Sequence, residues 1–497
     1  MKKITILSVL LLLTVSVAAQ KETSNWAFGN GCGLTWNTTR SAACVGLLGT
    51  PHATLDDLPT TFGSAINTME GCFSYSDKNG NLLFYSDGVT IWNRNHKVMT
   101  NGNGLTGNSS SAQSGIIVPY PEHPSQYVAI TIANMNFDRL SYSIVNMNTS
   151  DGLGEVLAKN VKIENNSGVL GESVTSVRHA NGVDFWIVAP GKSYTSSFYL
   201  NAWLLTKDGV ADTPVVTSHP GFLEPLYSNG YIKFSPDNKH FIWAGFMYDC
   251  CYYGDFDPAT GQFSNIKRLA DYEGTAFTSP YGVEFSPLQT VVYIADKNAL
   301  YAYKADEFFA ASDISSVTKK IFNTPSYSGT ALQLGPDGRI YWAMQNATTI
   351  RIIDDINDFD NIKLYLSRPG FLNATSQGGL PSFLGSWATL SANDVRGCKS
   401  NATNFNIEIS FLGSPGDYPV KLTWDFGDGS TPADQAISAG TTTYVQSHIY
   451  STPGEYTVTV TPYKSNGSPL SSTKFKANIK DCLVRVNRNV RSNLKGQ

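Results

Sequence analysis

Four segments of this chain are variants of one another at intervals of about fifty residues, and this repeat restricts the fold more than any other feature. They run from Tyr231 to Trp243, Gly282 to Ile294, Ala331 to Trp342 and Gly379 to Phe383, and they align on Phe234, Phe285, Leu334 and Phe383. In the first three, a short alternating strand enters a Pro-containing turn, and a second strand rich in aromatic and β-branched residues leaves it. Looser copies lie earlier, from Phe73 to Tyr85, Ile116 to Ile130 and Val174 to Val188, with turns around Lys78-Asn79-Gly80, Pro121-Glu122-His123-Pro124 and Ala180-Asn181-Gly182. Serine and glycine often precede the first strand, as at Ser114-Gly115, Ser228-Asn229-Gly230, Ser328-Gly329 and Ser376-Gln377-Gly378. That makes seven first strands but six complete units. The missing strands are sought at the N-terminus, in Asn25 to Gly29, Gly33 to Asn37 and the segment up to Pro59. A last sheet shared by both ends closes a ring and removes exposed sheet edges. The expected fold class is all-β: a seven-bladed β-propeller over 20–392, followed by a second β domain. Six blades is the main alternative and eight a weaker one. Helical periodicity is nearly absent; Asp306 to Val317 is the one short helix expected.

The N-terminus reads as a leader. Lys2-Lys3 precede an apolar run from Ile4 to Val17, too short for a bilayer span, and Val17-Ala18-Ala19 form a small-residue cleavage site, so residues 1–19 are assigned to a signal peptide. No later run of eighteen apolar residues follows, so an exported protein without a transmembrane helix is expected. Its formal net charge is -4, with 15% charged residues and no basic block, which argues against nucleic-acid partners. Seven cysteines fit an oxidising compartment. Cys398 and Cys482 bracket the C-terminal segment and are expected to pair. Cys250 and Cys251 form either a vicinal disulfide or two separate bridges, and the pairing of Cys32, Cys44 and Cys72 stays open.

From Gly397 the pattern changes to an isolated β module. Thr423-Trp-Asp-Phe-Gly-Asp-Gly-Ser430 is followed by a strand running from His448 through Tyr456, Val458 and Val460. The two motifs resemble those of PKD (polycystic-kidney-disease-type) domains, which implies an immunoglobulin-like sandwich over 396–483, with a basic tail over 484–497. Asp425 and Asp428 could hold a structural calcium ion, although turn-capping aspartates are the simpler reading. More broadly, Asn25-Trp26 to Gly33-Leu34, Glu70-Gly71-Cys72 through Asp87-Gly88 to Trp92-Asn93 and Met99, and Asn108 to Pro119 resemble a group of exported Bacteroidetes proteins that carry PKD domains after a propeller. That resemblance implies a surface role linked to type IX secretion or gliding motility. The short tail after Cys482 departs from it, leaving no space for a sorting domain, so a periplasmic or outer-membrane-associated role is equally compatible.

Catalytic signatures are missing. The sequence has no G-x-S-x-G elbow, H-E-x-x-H helix, phosphate loop or dinucleotide fingerprint, and its seven histidines are scattered singly. The acidic run Asp354, Asp355, Asp358 and Asp360 reads as a solvated loop before it reads as a calcium site. No cofactor is expected. Aromatic loops offer the stronger signal. The loops between second and third strands share one face with those between blades, which nominates Asn136, Lys192, Tyr194, Phe246, Tyr248, Asp249 and Tyr252 as ligand or partner contacts. Packing between blades is the competing explanation for these aromatics. Two functions follow: a non-enzymatic binding or scaffold protein of the cell envelope, engaging a protein or glycan, or a polysaccharide hydrolase or lyase. Convergence of Asp249, Glu273 or Glu70 on one pocket would favour the enzyme.

Overall fold

The structure is a computed structural model and describes residues 21–481, apart from 135–138, 166–168, 193–197, 220–228, 246–249, 271–278, 288, 313, 325–329, 385–387, 393–394, 412–418, 439–442, 464–466, 468 and 470–471. The leader, Cys482 and the basic tail lie outside the described residues.

Each of the six complete repeats forms an antiparallel hairpin. The registers pair Phe73 with Ser86, Ile116 with Ile130, Thr175 with Val188, Ile232 with Trp243, Val283 with Ile294 and Leu332 with Trp342. Outer strands extend these hairpins into six sheets, over 72–93, 115–162, 169–219, 232–270, 282–323 and 332–367. Successive side chains of a strand point to opposite faces. Here both faces are buried, because each sheet is packed between two others. In the strand His240–Gly245, Phe241 and Trp243 join one apolar cluster while Ile242 and Ala244 join another. Val291–Ala295 divides in the same way between two clusters. The protein is therefore all-β with a propeller-type N-terminal domain. Among the described residues no helix is long and apolar enough to cross a membrane. The expected helix is shorter than its pattern suggested, comprising Ala305–Ala310 and a separate 3-10 turn at Ile314–Ser316. Its N-terminus lacks a side-chain cap, and Ala311 is already extended.

The ends of this domain meet, but not through the shared four-stranded blade. Asn25–Phe28, Cys32–Gly46 and Ala53–Thr61 form an antiparallel meander. The end of its middle strand pairs with the sixth sheet, Cys44 opposite Ser367. The seventh first strand, Pro381–Ser382, pairs in parallel with Cys72–Phe73 of the first sheet. Inner strands around a ring all run the same way, so two neighbours close enough to bond must do so in parallel. Trp26 fills the junction, its ring centroid 5.9 Å from Phe383 and 5.6 Å from Tyr341 of the sixth sheet. A Cβ on Gly379 would collide with the Glu70 carbonyl, so the closing strand approaches the first sheet as only glycine permits.

The C-terminal sandwich begins at Ala388, ahead of the expected 396. Ala388–Ala392, Ala402–Phe411 and Thr443–Ile449 make one sheet. Val395–Cys398, Thr473–Lys480, Gly454–Tyr463, Lys421–Asp425 and Ala433–Ala436 make the other. Trp424, Phe426, Tyr450, Val458 and Val460 fill the space between. Cys398 is disulfide-bonded and lies in register with Lys480, and the Lys399–Asp481 ion pair (2.7 Å) brings the residue preceding Cys482 alongside. Neither reading of Cys250-Cys251 holds for Cys251, which is a thiol buried in the core opposite Ala244; the Cys250 side chain lies outside the described ones. Cys32, Cys44 and Cys72 are likewise buried thiols.

Asp425 and Asp428 act as turn caps. Asp425 accepts the Gly427 N–H, Asp428 Oδ1 accepts the N–H and hydroxyl of Ser430, and Asp428 Oδ2 lies 2.7 Å from His448 Nε2. Burial alone would raise the Asp428 pKa, but the bonds from Ser430 and His448 prevail and hold it at about 2.

Two outcomes follow. Gly379→Ala should destabilise the propeller by about 2–3 kcal/mol in chemical denaturation, through backbone collision at the closure. Asp428 is depressed in the folded state, so its contribution is present above its unfolded pKa near 4 and disappears as pH falls through about 2. Asp428→Asn should therefore cost the sandwich about 1 kcal/mol at neutral pH and flatten its acid-unfolding profile, as read by circular dichroism.

Candidate ligand site at the channel mouth

The segments that lead into the inner strands are linked around the channel by a belt of hydrogen bonds. Gly71 N donates to Ser111 O (2.8 Å), Gln113 N to Glu172 O (3.0 Å), Ser173 Oγ to Gly230 O, and Tyr231 N to Tyr281 O (2.8 Å). On the far side Ala331 N donates to Gly378 O (2.9 Å), and Gly378 N to Met69 O (2.9 Å). Between the fifth and sixth sheets Gly282 packs against the Thr330 carbonyl. Of the serines and glycines that recur before the first strands, Gly230 and Gly378 are parts of this belt, while Ser228 and Ser328-Gly329 lie outside the described residues. Small residues let backbones of adjacent sheets touch there, and their polar groups satisfy one another.

Below the belt, described side chains bridge one sheet to another. Gln113 spans from the second sheet to the fourth, its Oε1 accepting Ile232 N (2.8 Å) and its Nε2 donating to Ile232 O (3.4 Å). The Tyr231 hydroxyl donates to Leu380 O (2.8 Å) and accepts Leu380 N (3.2 Å) of the closing strand. Deeper still, Lys233 Nζ lies 3.0 Å from Glu284 and 2.5 Å from Gln333 Oε1, one residue from each of three successive inner strands. Glu284 also accepts the N–H groups of Phe285 and Leu334. This buried ion pair is fully engaged and serves as a polar plug.

The mouth itself carries the perturbed acid. Glu70 opens the first sheet and Glu172 the third, and Glu172 is 3% exposed. Burial, and then the Glu172 charge, push the Glu70 pKa up to about 7 against hydrogen bonds from Tyr281 and Ser110 that act to lower it. A carboxyl group poised near neutrality both donates and accepts hydrogen bonds. Tyr281 and Tyr231 are themselves buried, 5.6 Å apart, and form the aromatic floor beside the acids. The exposed Met69 lies at the rim.

Of the residues nominated from loop composition, Asn136, Tyr194, Phe246, Tyr248 and Asp249 lie outside the described residues, as does Glu273, and Lys192 is placed only as the end of a strand. Tyr252 is corrected. It is 5% exposed and packs against Phe198 (4.7 Å) and Trp243 (5.4 Å), because it sits on an inner face between the third and fourth sheets. Asn346 lies near the mouth, accepting from Gln377 of the belt (3.0 Å). The Asp354 run is occupied by cations and turns: Arg339 binds Asp354 (3.3 Å), Lys363 binds Asp355 (2.6 Å), and Asp358 caps Asp360 and Asn361. No group of three metal-ligating side chains occurs among the described residues. Glu172 was not anticipated. Its motif Gly171-Glu172-Ser173 echoes Glu70-Gly71 only loosely, and nothing local says that the two meet.

The PKD domain family matches residues 388–479, in agreement with the sandwich. No curated protein matches the chain. Similar solved structures include an extracellular domain from B. thetaiotaomicron, 12% identical with a TM-score of 0.33, covering 93% of this chain and 57% of that one. This chain thus spans little more than half of that relative. AztD from Citrobacter koseri is 11% identical with a TM-score of 0.35, covering 73% of this chain and 98% of that one. The Dos1 propeller is 7% identical with a TM-score of 0.34, covering 74% and 95%. At such scores no residue role transfers, and the architecture rests on the strand ladders.

Because the folded-state pKa of Glu70 is raised, its contribution to stability is full below about pH 4.5 and is lost as pH rises through about 7. Glu70→Gln should flatten the pH dependence of thermal unfolding between pH 5 and 8, removing about 2–3 kcal/mol of variation.

Proposed function

We propose that this chain is an exported, non-enzymatic binding or scaffold protein of the bacterial cell envelope. Its channel-mouth face engages a glycan or a protein, and the PKD domain serves as spacer or second contact. The observation that carries this reading is the half-buried Glu70 carboxyl at the channel mouth, held near neutrality by its surroundings. It hydrogen-bonds the Tyr281 hydroxyl, so carboxyl and hydroxyl groups stand side by side there. Such a surface suits a hydroxyl-rich ligand that exchanges several hydrogen bonds, and a rigid floor reduces the entropy cost of binding. Export is supported by the leader-like N-terminus and by the Cys398 disulfide, which persists only in an oxidising compartment. Association with type IX secretion or gliding machinery rests on the sequence resemblance.

A second reading has a specific observation in its favour. Glu70 has the raised pKa of a general acid and a second carboxylate for company, the minimum equipment of a polysaccharide hydrolase or lyase. The two readings separate in one experiment. The mature protein is incubated with an envelope glycan panel, and both retention and product formation are followed for wild type, Glu70→Gln and Glu172→Gln. Binding that either substitution weakens about tenfold, with no product, supports the binding role. Product formation that Glu70→Gln abolishes selects the enzyme. Retention of an envelope protein and of no glycan assigns the face to a protein partner.

A further inference from the structure

A cavity of about 450 Å³ lies on a different part of the propeller, in the wedge between the fourth and fifth sheets. It is lined by Ser235, His240 and Asp255 from the fourth sheet and by Phe285, Asp306 and Phe309 from the fifth. That volume is in the range of small-molecule sites. Its walls are ordered by the fold. The His240 ring lies flat on Phe309 (centroids 4.2 Å, 22°), and Phe309 is parallel to Phe285 (6.1 Å, 11°). Lys267 fixes the end of the short helix carrying Asp306 and Phe309 by donating to the carbonyls of Phe309 (3.1 Å) and Ala311 (2.6 Å).

We propose that this wedge binds a small organic cation, an amine whose alkyl chain lies along the phenylalanines and whose charged head meets the Asp255 and Asp306 carboxylates. Charge decides the class. Asp255 Oδ1 lies 2.8 Å from His240 Nδ1 and its Oδ2 accepts Asn265 (2.6 Å). With His240 neutral the lining carries two negative charges, and with it protonated it carries one, so an anion is repelled in either state. A neutral apolar ligand would desolvate carboxylates without replacing their partners. An ammonium group gains both a charge-assisted hydrogen bond and the attraction of the ring faces. Covalent chemistry is not implied despite the His–Asp pair. The Ser235 hydroxyl donates to Asp237 (2.6 Å) and accepts the His240 N–H (2.9 Å), so it is committed to the turn. This site is independent of the channel mouth and does not rest on the function proposed there.

The test is ligand-observed saturation-transfer NMR on the full chain. The probes are cadaverine as a free diamine, N-acetyl-lysine amide as a peptide-borne amine, and 1,5-pentanediol as the uncharged counterpart. Saturation of either amine and not of the diol is expected, and the amine that binds identifies the source. Asp306→Asn, at an exposed position, should weaken binding at least fivefold. Phe309→Leu, which keeps the apolar volume, should weaken it while leaving the circular dichroism spectrum unchanged, and Glu70→Gln should have no effect. Equal saturation by the diol, absence of amine saturation, or an Asp306→Asn protein that binds as wild type does would overturn the assignment.

Discussion

The backbone belt around the channel mouth is the constraint on which the propeller depends. Radially arranged sheets converge at their inner strands, where space is least, and each sheet must satisfy its polar groups against the next. Glycine at 71, 282 and 379 removes the Cβ atoms that would keep those backbones apart. Serine side chains and main-chain carbonyls at 111, 173 and 378 then complete the hydrogen bonds. Closure is the costly step for any ring, since it joins residues more than 300 positions apart, and here it is shared among several partial contacts. The Trp26 cluster, the Cys44–Ser367 pairing, and the parallel bond of Pro381–Ser382 to the first sheet each supply one part.

The same belt sets the chemistry of the mouth. It holds the half-buried Glu70 at the mouth, where partial burial and the charge of Glu172 both disfavour its ionised form. Glu70 consequently keeps its proton to near neutrality. The contrast with Lys233 and Glu284 is informative. Those two groups are buried more deeply than Glu70, but they face each other with opposite charge and find Gln333 and two backbone N–H groups as further partners. At the mouth burial, reinforced by a like charge, produces a perturbed acid, and opposite charges in the channel produce a structural pair.

Much of the fold was legible in the sequence because its signals are local. A hairpin is specified by a turn and two alternating strands within fifteen residues, so the six hairpins could be placed from their registers alone. Trp424 to Ser430 and the strand ending at Val460 announced the sandwich for the same reason. The failures share the opposite cause. Tyr252 lay in a segment too aromatic for a simple loop, yet its ring is buried against Phe198 and Trp243 from strands that the sequence does not place beside it. Cys250 and Cys251 suggested a bridge by their adjacency, yet Cys251 is a buried thiol packed in the core. The serines and glycines before the first strands were visible as a pattern, and only the inter-sheet bonds of Gly230 and Gly378 show what part of that pattern is for.

By itself, then, the sequence determined the repeat, the all-β class, the two-domain order and the turn chemistry of the PKD motif, since each depends on residues within one or two strands of each other. Tertiary structure alone decided how the ends are joined, which sheet receives the closing strand, and that the charge of an acid from the third sheet is felt by one from the first. Those outcomes depend on the curvature and spacing of the packed sheets, quantities that no single segment encodes. Glu70 and Glu172 are about a hundred residues apart, and only the arrangement of the sheets couples them.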